Sequence, residues 1–177
     1  MVGLGADAFS SLGPRDVTDG LSQTVFLGEK LIPPVNRSGS GISGPAYEHP
    51  NLWIRLIRDI AIPRLPPPES AQFAYDCEHE ALPPGATWPM DGQSLFGHYG
   101  AEFNHVLPPN RNSCMNGNGD LPGGYGFRAS TATSQHAGGV HVLMGDGAVK
   151  FASDEIDVDV WRAVGTRNGN EVAAAAF

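Results

Sequence analysis

Two runs of β-forming residues, Val140-His141-Val142-Leu143-Met144 and Ala148-Val149-Lys150-Phe151, are separated only by Gly145-Asp146-Gly147. An Asp-Gly turn between two such runs is among the strongest local signals for a β-hairpin. The glycines admit positive φ, and the Asp146 carboxylate can accept from nearby backbone N–H groups. The last part of the chain is therefore committed to an antiparallel strand pair. Ser153-Asp154-Glu155-Ile156-Asp157 then reads as the start of a short helix. Its apolar positions are Val158, Trp161 and Val164, and its acids lie where the helix dipole favours them. Gly165 is a natural stop, followed by a turn over residues 166–170 and an apolar tail to Phe177.

The rest of the chain is punctuated by 23 glycines and 15 prolines in 177 residues, which predicts many turns and few long helices. The expected class is β-rich or α+β: a single globular domain over residues 1–177, with the C-terminal hairpin, a few short helices and many loops. Residues 16–20 read as a turn, with Asp16 able to cap and Gly20 able to take positive φ. Gln23 to Glu29 reads as a strand. Asp19 and Glu29, which flank it, are most simply a capping acid and a strand-end acid. From Leu52 to Ile62 the apolar residues Leu52, Trp53, Leu56, Ile57, Ile60 and Ala61 fall at helical spacing, which predicts an amphipathic helix ended by Pro63. Residues 64–68 read as a polyproline-like connector. Residues 76–126 read as loop and short strand.

Charge and motifs narrow the function. The formal net charge is -8, from 11 basic and 19 acidic residues, and Lys and Arg do not cluster. Nucleic acid is therefore excluded as a partner class. No apolar run approaches the ~20 residues of a membrane-spanning helix. No GxSxG, Walker, HExxH or dinucleotide-binding fingerprint occurs, so no enzyme activity and no cofactor are expected. The two cysteines, Cys77 and Cys114, are either buried free thiols or a single disulfide. Their polar, Pro- and Gly-rich surroundings favour the disulfide and an oxidising compartment. His136 stands ten positions before Asp146, and these two are the nearest candidates for a metal. A metal-assisted hydrolase would use His136, His141 and Asp146, or His98 and His105. A glycan-binding module would use Trp53, Trp88 and the loops of residues 76–126. Each of these residues also has a plain structural reading, as a hydrogen-bonded histidine, a turn acid or a core aromatic.

The run Ser134-Gln135-His136-Ala137-Gly138-Gly139-Val140, followed by Asp146-Gly147, has His, nine residues, then Asp-Gly. It resembles the signature of the family called domain of unknown function 1559. Further blocks resemble the same family. One runs from Asp16 through Asp19, Gly20, Ser22 and Thr24 to Gly28 and Glu29. A second holds Asn104, His105, Pro108, Pro109, Asn110 and Cys114. A third holds Trp161, Gly165, Thr166 and Gly169. Gln23 stands where the family more commonly has Asn. The resemblance implies a pilin-like or pseudopilin-like domain, in which a long N-terminal helix packs on an antiparallel sheet. It implies a non-enzymatic structural protein of a type II secretion or type IV pilus-like system, located outside the cytoplasm at the bacterial cell surface. Its partners would be other pilin-like subunits or cell-envelope proteins. Residues 1–7 lack the basic start and apolar run of an export signal. Set against the family pattern, the prepilin-type N-terminal helix is missing. The chain is thus expected to be the C-terminal part of a larger prepilin-like protein.

Overall fold

The computed structural model describes residues 13–31, 53–57, 67–79, 87–89, 103–116, 128–170 and 177. After a 3₁₀ turn at Pro14–Asp16, strand β1 (Val25–Gly28) leads to β2 (Trp53–Ile57), helix α1 (Pro67–His79), β3 (Thr87–Pro89), β4 (Ser113–Asn116) and β5 (Arg128–Ala129). The hairpin β6 (Gly139–Met144) and β7 (Val149–Ser153) and helix α2 (Val158–Ala163) complete the order. The class is α+β, one of the two that the composition left open.

Sheet one has three strands in the order β1-β6-β7, all antiparallel. Gly147 closes the hairpin at φ +92°. The Ala148 N–H donates to the Asp146 carboxylate at 2.9 Å. Strict alternation along β6 turns Val140, Val142 and Met144 inward and His141 and Leu143 outward. The inward residues meet Val25, Ala132, Ala152, Trp161 and Val164 in one core. Helix α2 covers this face. Its start is fixed by Asp157, whose carboxylate accepts from the N–H groups of Asp159 and Val160. That cap points Trp161 and Val164 into the core, where both are fully buried.

Sheet two has the order β3-β2-β4-β5. It is mixed rather than purely antiparallel, because β2 and β4 run parallel. Helix α1 brings Ala74 and Cys77 to a second core with Leu107, Cys114 and Ala129. Cys77 and Cys114 are joined as a disulfide, with Cα atoms 5.7 Å apart.

Several local expectations are corrected. Ser153, read as part of a helix start, ends β7, and α2 begins only at Val158. Residues 53–57 form a strand, not part of a helix. The run Trp-Ile-Arg-Leu-Ile is rich in β-formers, and β2 gains a hydrogen-bonded neighbour on each edge. Periodicity alone does not separate a short apolar strand from a helical turn. The remaining residues of that expected helix lie outside the described ones. Pro67 and Pro68, read as connector, instead open α1. Proline is tolerated in the first helical turn, where its missing N–H has no intrahelical acceptor to lose. The helix then carries residues 76–79, expected as loop, through its last turn.

Candidate functional site

The register of sheet one builds the site. Leu27 pairs with Leu143 and Gly28 with Val142, so the chain continues with Glu29 opposite His141. The Glu29 N–H donates to the His141 carbonyl at 3.2 Å. The His141 N–H returns a bond to Glu29 Oε2 at 2.7 Å. Side chains alternate across a sheet, so Glu29 and His141 both emerge on the outer face. His136 reaches the same place from the loop before β6. That loop is anchored: the His136 N–H donates to Ser134 Oγ at 3.0 Å, and the Ser134 hydroxyl donates to the Gly139 carbonyl at 2.7 Å. Asn110 ties both ends, accepting from the Ser134 N–H and donating to the Gly139 carbonyl.

The result is a carboxylate flanked by two imidazoles. His136 Nε2 lies 3.2 Å from Glu29 Oε1, and His141 Nδ1 lies 3.5 Å from Oε2. The two rings meet edge to face with centroids 4.8 Å apart. Partial burial pulls the Glu29 carboxyl up. The His141 N–H bond and the two imidazoles outweigh it and hold the group below its ordinary value. An open cleft of about 470 Å³ borders Glu29, Thr133, Ser134 and His136.

Asp146 does not belong to this group. Its carboxylate is bound into the hairpin turn, so the set His136, His141 and Asp146 is corrected: the acid beside the histidines is Glu29. Sequence reasoning placed Glu29 at a strand end but had no signal for its partner, since the pair is 112 positions apart.

The other singled-out residues, where they are described, do not belong to this cluster. Asp19 ties the N-terminal turn to the loop after α2, accepting from the N–H groups of Gly169 and Asn170 and the Thr166 hydroxyl. Desolvation raises the Asp19 carboxyl, but these three bonds together outweigh it and leave the group lowered. Gly20 sits at φ +98° and receives the Thr24 hydroxyl on its carbonyl. Ser22 is exposed in the turn, Pro108 is half-buried and Pro109 is fully buried. Gly138 has φ +81°, and a side chain on Gly139 would run into the Ala152 carbonyl.

His105 packs against Trp161, with ring centroids 4.3 Å apart, and Gly165 leaves room for its ring. Its Nε2 is buried, with no hydrogen-bond partner among the described residues. Burial pushes its imidazole down to about 3, so it stays neutral near pH 7. His105 borders a larger cavity of about 820 Å³ with Leu21, Phe26, Phe103 and Arg167. His98 and the side chains of Trp53 and Trp88 lie outside the described residues.

A family model described as "Protein of unknown function (DUF1559)" matches residues 3–159. The chain belongs to that family. The matched span holds Glu29, His136, His141 and Asp146, and it ends just before Trp161. No curated protein and no solved structure matches the chain. Among the described residues, no helix is long and apolar enough to cross a membrane.

Proposed function

We propose that this chain is the globular domain of a non-enzymatic, pilin-like structural protein displayed outside the cytoplasm. The observation that carries the reading is the outer face of sheet one. Leu27, Val149 and Phe151 are 63%, 65% and 43% exposed there, and Leu143 lies between them. An apolar sheet face of this kind marks an interaction surface. In a pilin-like assembly it receives a long helix or a neighbouring subunit. The Cys77–Cys114 disulfide suits an oxidising compartment.

The test is to express the domain behind a prepilin-type segment in a host with a matching assembly system. The expected result is recovery in sheared surface filaments, with recovery lost in Phe151→Glu. Retention of the folded wild-type fusion inside the cell, or its release as a monomer, would contradict the reading.

A further inference from the structure

We propose that Glu29, His136 and His141 form a binding site for a divalent transition-metal ion of the Zn²⁺ kind. One ligand atom from each side chain lies within 4.8 Å of the other two. Metal–ligand bonds of about 2.0–2.1 Å in a tetrahedral Zn²⁺ site set neighbouring ligand atoms about 3.3 Å apart. His136 Nε2 lies 3.2 Å from Glu29 Oε1 and His141 Nδ1 lies 3.5 Å from Oε2, so each imidazole stands near that spacing from one oxygen of the carboxylate. Two imidazoles and one carboxylate select Zn²⁺-like ions over Mg²⁺ or Ca²⁺, which prefer shells made of oxygen.

Each imidazole stands beside a different oxygen of Glu29, and the two rings meet edge to face with centroids 4.8 Å apart. A metal ion makes use of that proximity, because it needs both imidazoles neutral and both aimed at one point.

Hydrogen bonds fix the Glu29 carboxylate and the loop that carries His136. The His141 N–H holds Glu29 Oε2 and leaves Oε1 towards His136. Ser134 and Asn110 fix the backbone that carries His136. A cleft borders Glu29 and His136 on the side of Thr133 and Ser134 and gives an ion a way in. The disulfide removes both cysteines as competing ligands. This proposal does not depend on the pilin-like reading, though His141 shares the outer face with Phe151, its ring 5.2 Å away.

The test is calorimetric titration of the chelator-stripped full chain with Zn²⁺ alone. One equivalent is expected to bind the wild type and His79→Ala alike, His79 being an exposed histidine at the end of α1. Glu29→Gln, which keeps an acceptor for the His141 N–H, and His136→Ala are each expected to weaken binding at least ~10-fold. Circular dichroism checks that both variants fold. Should Glu29→Gln fail to fold, His136→Ala decides alone, because its side chain is 54% exposed. Absence of saturable one-equivalent binding by the wild type would overturn the proposal. So would wild-type affinity in the folded His136→Ala variant.

Discussion

His105 and the pair His136–His141 lie on opposite sides of sheet one, and their surroundings give the same side chain opposite roles. His105 is pressed against Trp161 and Gly165 on the core side, where burial holds it neutral. His136 and His141 stand half-open on the outer face, each with a nitrogen turned to Glu29. Residue type and presence in a motif therefore do not separate a core histidine from an exposed one here. What surrounds the ring does: an aromatic wall in one case, a carboxylate and a cleft in the other.

The sharpest break of this contrast is Trp161→Ala, which removes the wall. Deleting a fully buried Trp typically costs about 3–5 kcal/mol. Denaturant unfolding should show a loss of that size, and a loss below ~1 kcal/mol would mean that the core side is not load-carrying. Gly165→Ala is next. The added Cβ would meet the His105 ring, so the ring or the backbone must shift. Overpacking of this kind costs about 1–3 kcal/mol, and the same unfolding assay reads it.

His105→Leu sharpens the contrast through pH. The folded imidazole lies at about 3, below the ~6.5 of an unfolded histidine, so in that window the unfolded chain binds the extra proton. Its contribution is fully present above pH ~6.5 and is lost as pH falls towards ~3, at up to ~1.4 kcal/mol per pH unit. The Leu variant should lose that part of the slope in stability measured from pH 7 to 4. An unchanged slope would place the ring in water. The smallest effect is expected from His136→Ala without metal, within ~0.5 kcal/mol of wild type, as for other exposed positions.

Local signals made sheet one legible. The Gly145-Asp146-Gly147 turn acts over a few residues, and the Asp146 side chain reaches only a nearby N–H group. The helix start expected over 153–157 was less sharp, since Ser153 ends β7 and α2 begins at Val158 behind its Asp157 cap. Sheet two was not legible in the same way. The parallel pairing of β2 with β4 joins Ile54 to Ser113, a contact that local pattern does not encode. Helix α1 begins on two prolines that also suit a connector, and only its burial of Ala74 and Cys77 settles the matter. The candidate site falls between these cases. Each of its three residues was visible as a chemical type, but the register that sets Glu29 opposite His141 belongs to the assembled sheet.

Anomalous diffraction at the zinc edge from crystals of the full chain grown with Zn²⁺ tests the central claim most directly. One strong peak is expected about 2.0–2.2 Å from Glu29, His136 and His141 together, with none beside His105. A map with no peak among those three side chains, or with its main peak at another histidine, would contradict the account.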